Sequence, residues 1–186
     1  MGKILVIVDC QNGFITGSLA SEEAQKKVPN IVKKIKDFED GIIILTRDTH
    51  SEDYLNTKEG KKLPVVHCVK NTWDWEIEDS VAEAFTERID DETSVVGTIV
   101  DKPTFGTFEI IDYIKYALNA YGDTEIEICG FCTDICVVSN AMILKAAFYE
   151  KANITVDASC CAGVTPETHN AALTTMKMCQ INVINE

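Results

Sequence analysis

Strand-like runs alternate with helix-like stretches along almost the whole chain, and that alternation limits the available folds more than any other feature. "KILVIVD" (3–9) is apolar without polar alternation, as a strand buried on both faces requires. "GIIILTRD" (41–48), "TSVVGTIVDK" (93–102), "TEIEICGF" (124–131) and "NITVDAS" (153–159) read as further strands, and "INVIN" (181–185) closes the series. Residues 21–40 carry apolar positions at helical spacing behind Ser21 as N-cap, with Pro29 placed to kink or split the segment. Residues 107–122 read as a helix stopped by a glycine and 134–152 as an apolar-rich helix. Residues 165–179 read as a helix with Thr165 at the N-cap and Pro166 at its first position. "PVVHCV" (64–69) is a strand end or a loop.

This pattern predicts an α/β fold: three α-β-α layers around a mostly parallel, Rossmann-like sheet of about six strands. A length of 186 residues suits one core rather than two, so a single domain over 1–186 is expected. Ligands of such sheets bind beyond the carboxyl ends of the strands, at a topological switch point. That rule gathers Asp9, Asp48, His50, Lys102 and the segment from Cys132 to Cys136 on one edge, although they are scattered along the chain.

The formal net charge of −13 argues against nucleic-acid backbones and against anionic membrane surfaces, and it favours a small neutral or cationic partner. The amino-terminal apolar run is too short for a signal peptide, and nothing approaches roughly 18 consecutive apolar residues, so a cytoplasmic protein is expected. Eight cysteines fall largely in or beside apolar runs, where a reduced thiol behaves as a small hydrophobe. Cys160 and Cys161 are adjacent, and packing is their default role.

"EICGFCTDICVVSNAM" (127–142) holds three cysteines, Cys129, Cys132 and Cys136. A metal cluster would need all three to converge from a strand interior and a helix start, which is awkward, so Cys129 reads as core. Cys136 lies where a helix begins, and the positive end of the helix dipole favours thiolate. Gly130 permits a sharp strand-to-helix turn of the kind that exposes a nucleophile and frees N–H groups for an oxyanion. Position alone leaves a buried, inert thiol equally admissible. Asp9 offers a proton acceptor in an apolar setting, and Lys102 a cation to orient it, although a turn residue and a surface lysine are the plainer readings of each.

In "TRDTHSED", Asp48 and His50 are two residues apart, so in extended chain they face the same side; His67 follows in "VVHCV". Two imidazoles and a carboxylate suit a divalent metal, Zn²⁺ first and Fe²⁺ or Mn²⁺ next. His169 reads as a solvated or interface residue. Trp73 and Trp75 sit unusually in the polar "KNTWDWEI" and fit either a pocket cap or an oligomer contact.

Together "VIVDCQNGF" (6–14), "TRDTH" (46–50), "VVHCV" (65–69), "DKPTFGTF" (101–108) and "CGFCTDICV" (129–137) resemble the isochorismatase-like cysteine hydrolases, most closely the nicotinamidase/pyrazinamidase branch. The resemblance implies the isochorismatase-like hydrolase fold and hydrolysis of nicotinamide to nicotinate and ammonia through a thioester. Another amide or carbamoyl hydrolase is the alternative on the same scaffold, and a non-catalytic metal- or cluster-binding protein the alternative from another class. The resemblance also implies a triad of Asp9, Lys102 and Cys136, and a cis peptide between Phe131 and Cys132 that turns the N–H groups of Cys132 and Cys136 towards an oxyanion. Asp48, His50 and His67 would carry the metal, and the chain would form a homo-oligomer. Phe14 belongs to the implied aromatic wall of the pocket. Two departures stand out: Gly13 occupies a position where the family motif usually has aspartate, and "KKLP" replaces the W-P that commonly precedes the metal histidine. Phe105, Trp73 or Trp75 would then supply the missing wall.

Overall fold

The computed structural model describes residues 2–90 and 94–186. Among the described residues six strands form one sheet: β1 (Gly2–Val8), β2 (Gly41–Asp48), β3 (Val95–Lys102), β4 (Thr124–Phe131), β5 (Ala152–Ala162) and β6 (Asn182–Ile184), in the order β3-β2-β1-β4-β5-β6. Every pairing is parallel. The order reverses direction at β1, so the switch point lies between the carboxyl ends of β1 and β4.

The helices are α1 (Asn12–Ile15), α2 (Glu22–Lys36), α3 (Asp79–Asp90), α4 (Glu109–Tyr121), α5 (Val138–Phe148) and α6 (Pro166–Met178). Right-handed crossovers put α2 and α3 together on one face and α4, α5 and α6 on the other. β1 is covered on both sides, and Ile4 to Val8 are all essentially solvent-free. No helix among the described residues is long and apolar enough to cross a membrane.

Several elements differ from the sequence expectation. Pro29 neither splits nor ends α2, because Ser21 caps the start, accepting from the Ala24 N–H, and Ala24, Val28, Ile31 and Ile35 anchor one buried face. The "PVVHCV" segment is a loop, joined to the metal-side strand end by an isolated bridge between His50 and Val69. The helix expected from 134 begins as a π-helical turn, Thr133–Val137, and becomes α-helical only at Val138. α1 and α3 were absent from the sequence reading. Of the third expected strand, Thr93 lies outside the described residues.

One glycine is required by the sheet itself. Gly130 has φ +117°, and a Cβ there would sit 2.1 Å from the carbonyl oxygen of Val8. Its pairing with β5 also slips: Ile128 faces Val156, but Gly130 faces Cys161, so β5 bulges. Close approach of β4 to β1 and the bulge beside it aim the next residues, Cys132 to Cys136, into the switch-point crevice.

Candidate active site

Asp9 follows β1 with φ +50°, its N–H held by the Thr46 carbonyl at 3.1 Å and its Oδ1 accepting from the Thr46 hydroxyl at 2.7 Å. Lys102 ends β3, two strands away, and its Nζ lies 2.6 Å from Asp9 Oδ2 and 3.6 Å from Cys136 Sγ. The ammonium also donates to the Thr104 carbonyl at 3.1 Å and stands 3.7 Å from Asp48 Oδ1. All three side chains are buried, with Asp9 and Lys102 wholly so. The Phe131–Cys132 peptide, which leads into the π-turn carrying Cys136, is cis.

Electrostatics separate the roles of these groups. Burial raises the Asp9 carboxyl above its ordinary value, and Lys102 offsets that only in part. Burial works against the charge on Lys102, but the carboxylates of Asp9 and Asp48 outweigh it and hold the ammonium well above the usual lysine range. Burial, then the Asp9 carboxylate, pushes the Cys136 thiol well above its ordinary value. Of the two readings left open by position, a dipole-favoured thiolate and a buried thiol, burial favours the thiol. The π-turn gives the thiol no regular α-helical terminus, and its buried setting beside a carboxylate disfavours a second negative charge. The neutral thiol is therefore the favoured form of Cys136.

Beside this group, His50 Nε2 and His67 Nε2 converge on Asp48 Oδ2, at 2.9 and 3.5 Å. Glu59 joins them, its Oε1 3.7 Å from His50 Nε2, and the donor atoms of all four residues lie within 4.8 Å of one another. Glu59 was missed by the sequence reading, since "TKEGKK" looks like solvated loop. The donor set fits a divalent metal on two counts. Asp48 Oδ1 is buried without a hydrogen-bond partner among the described residues, and His67 Nδ1 lies 2.8 Å from the Val65 carbonyl, which fixes its N–H there and leaves Nε2 free to ligate. Burial opposes the charge of Asp48, but bonds from His50 and His67 and the nearby Lys102 hold its carboxyl well below the ordinary range. Gln11 fixes this strand end by donating to the Asp48 carbonyl at 2.9 Å and accepting from the Asp48 N–H at 2.7 Å.

A largely apolar cavity of about 380 Å³ opens onto both groups. Phe14, Leu63, Phe105, Ile135 and Val164 wall it, while Cys132, Cys136, Asp48, Glu59 and His67 contribute the polar side. Phe14 also meets His67 edge-on, with ring centroids 5.9 Å apart. Trp73 is not among the lining residues and is 56% exposed, so its expected place in the pocket is not what the structure shows. Trp75 is buried, stacked under the Arg47 guanidinium at 3.6 Å and donating to the Thr49 hydroxyl, and it too stays outside the cavity. Leu63, from "KKLP", stands in the wall instead. Cys10, Cys68, Cys129, Cys160 and Cys161 are free and buried, Cys179 is free and exposed, and none of these lines the cavity. His169 is half-buried and bonds the Thr133 hydroxyl at 2.8 Å, bracing the π-turn that carries Cys136.

Comparison with known proteins agrees with this layout. A nicotinamidase of Saccharomyces cerevisiae is 25% identical over 99% of this chain and 100% of its own length. The nicotinamidase/pyrazinamidase of Bacillus subtilis superposes with a TM-score of 0.82 at 22% identity, covering 100% of both chains. A pyrazinamidase of Pyrococcus horikoshii, in complex with zinc, superposes with a TM-score of 0.76 at 26% identity, again covering 100% of both chains. The Isochorismatase domain profile matches residues 3–185. With that match spanning nearly its whole length and the six-stranded parallel sheet in place, the chain belongs to the isochorismatase family.

Proposed function

We propose that this protein is an amidohydrolase that converts nicotinamide to nicotinate and ammonia through a thioester on Cys136. The observation that carries the reading is the meeting of Cys136 Sγ and the Asp9 carboxylate around Lys102 Nζ, at 3.6 and 2.6 Å, with Cys136 itself on the wall of a cavity that also reaches a cluster of candidate metal ligands. The likeness to proteins named nicotinamidase supports the substrate.

In this mechanism Asp9 takes the thiol proton as sulfur attacks the amide carbon, and the carbonyl oxygen becomes an oxyanion. Backbone N–H groups of Cys132 and Cys136 receive that charge. Collapse breaks the C–N bond, and the proton on Asp9 goes to the departing nitrogen, giving ammonia and the thioester. Water then delivers a proton to Asp9 and its hydroxyl to the acyl carbon. Breaking the C–S bond releases the acid, and the proton returns to sulfur. Burial raises the Asp9 carboxyl above its ordinary value, which makes the carboxylate a stronger base towards the thiol. Lys102 keeps Asp9 oriented and its charge tolerable in the buried site.

Asp48, His50 and His67 would hold a divalent metal, zinc by analogy with the zinc complex of the Pyrococcus relative, with Glu59 as a further donor. When bound, the metal supplies a Lewis-acid contact for the pyridine nitrogen and so fixes the ring. Phe14 and Phe105 offer aromatic surface to the ring on the cavity wall.

Ammonia release from nicotinamide tests the reading directly. The Cys136→Ala protein should be folded, by its circular dichroism and Tm, and inactive by at least about 10³-fold, against about 10²–10⁴-fold for loss of the base in Asp9→Asn. Equal rates in wild type and Cys136→Ala would reject the nucleophile.

A further inference from the structure

Gly13 is a space requirement rather than a conformational one. Its φ is not in the left-handed region, yet a Cβ there would lie 2.8 Å from Asp74 Oδ2 and 2.9 Å from both the Asp74 carbonyl oxygen and Cys68 Sγ. Gly17 is stricter still: a Cβ would fall 2.2 Å from Asp74 Oδ1. Two glycines thus clear the space into which one carboxylate reaches from the turn Trp73–Trp75.

That carboxylate holds two backbone donors. Oδ1 accepts from the Ser18 N–H at 2.9 Å, and Oδ2 accepts from the Cys68 N–H at 2.9 Å. Ser18 leads into Leu19, Ala20 and Ser21 on the rim of the cavity, while Cys68 directly follows His67. Cys68 itself sits at φ +45°, a conformation a non-glycine residue holds only when its surroundings impose it. The Cys68 carbonyl then accepts from the His50 N–H at 3.0 Å, so the clasp reaches both imidazole-bearing segments.

We propose that Asp74 is a positioning residue that sets His67 and the Leu19–Ser21 rim relative to each other, its carboxylate filling the space left by the missing side chain at position 13. A carboxylate oxygen lies about 2.4 Å from its own Cβ by ordinary bond lengths, close to the 2.8 Å that separates the Gly13 Cβ position from Asp74 Oδ2. The family motif usually carries its acid at 13; here the acid arrives from a separate segment. Only a carboxylate serves both donors, because an asparagine in the same shape would turn its NH₂ group against one of the two N–H groups.

The proposal rests on the metal and cavity reading given above, and its test separates the two. In Asp74→Asn, the zinc dissociation constant, measured by competition with a chromophoric chelator, should rise about 10- to 100-fold, as expected for loss of a group that orients a ligand. KM for nicotinamide should rise more than kcat falls, and the amides of Ser18 and Cys68 should exchange hydrogen at least about tenfold faster. Gly13→Ala should act in the same direction but cost less in an Asp74→Ala background, where the added methyl no longer meets the carboxylate. Unchanged zinc affinity in Asp74→Asn, with a wild type that binds zinc, would overturn the proposal even if exchange quickened, and so would full additivity of the Gly13 and Asp74 changes. A wild type that neither binds zinc nor releases ammonia would sink the functional reading instead. The exchange rates would then decide the clasp alone, and unchanged rates would overturn it.

Discussion

At the scale of single residues, the site works by burying charges that offset one another. Lys102 faces Asp9 and Asp48 and touches the Cys136 thiol, so removing it should expose the opposition between burial and charge. Because Asp9 must be ionised to accept the thiol proton, and burial raises its pKa, the acid limb of kcat/KM should lie above the ordinary carboxylate value of about 4. Lys102→Met removes the group that lowers it. The limb should therefore move to higher pH, with a rate loss of about 10²-fold or more, and a pH–rate profile showing it fixed or displaced to lower pH would refute the assignment. That Asp9, Lys102 and Cys136 share one sheet edge was legible because each closes or follows a strand whose apolar run is unmistakable, while their grouping as a triad came from the family resemblance. Glu59 was not, since nothing local distinguishes an acid that folds back over a metal cluster from one that points into water. Position left Cys136 open between thiolate and buried thiol for a related reason: the dipole argument needs a regular helix start, and solvent exclusion is invisible in one stretch of sequence.

Elements were read well where one periodicity dominated and poorly where elements were short or mixed. All six strands were recognised, with β5 extending further than expected because its bulge carries pairing past Ser159. α3 escaped notice although Val81, Ala84 and Phe85 form a buried stripe, since acidic residues crowd the intervening positions. α2 shows how packing overrides a proline. Its Lys34 bonds Glu127 of β4 and, at 2.7 Å, Asp157 of β5, so the helix is tied across two strands. Asp157 is buried, which opposes its charge, but bonds from Lys34, Ser159 and Asn185 hold its carboxyl below the ordinary value. A lowered folded-state pKa gives stability that is present above the unfolded value and is lost as pH falls through the folded one. Asp157→Asn should therefore cost about 2 kcal/mol at neutral pH, less than for a fully buried pair because Lys34 is partly exposed, and the gap should close in acid. Denaturant midpoints for both proteins at neutral pH and below about pH 4 would check it; a gap that widens in acid would contradict it.

Across the whole molecule, the parallel sheet brings polar groups from the ends of β1, β2, β3 and β4 to one edge, as the alternation of elements foretold. The metal cluster and the thiol group share that edge but need not fail together. Dialysis against a chelator should abolish turnover of nicotinamide, zinc should restore it, and Cys136 should stay alkylable throughout; undiminished turnover at verified zero metal would refute a metal role in holding the ring. By contrast, the Lys3–Asp40 pair lies near the opposite ends of the strands and is half exposed, so Lys3→Ala should leave kcat/KM and Tm unchanged. The strand order has a further consequence during synthesis. β1 pairs with β2 on one side but with β4 on the other, Gly2 facing Thr124, so its second neighbour does not leave the ribosome until most of the polypeptide has been made. Until then Ile4–Val8 presents a bare, sticky ribbon edge, which makes this segment the place where a chaperone would be needed most during translation.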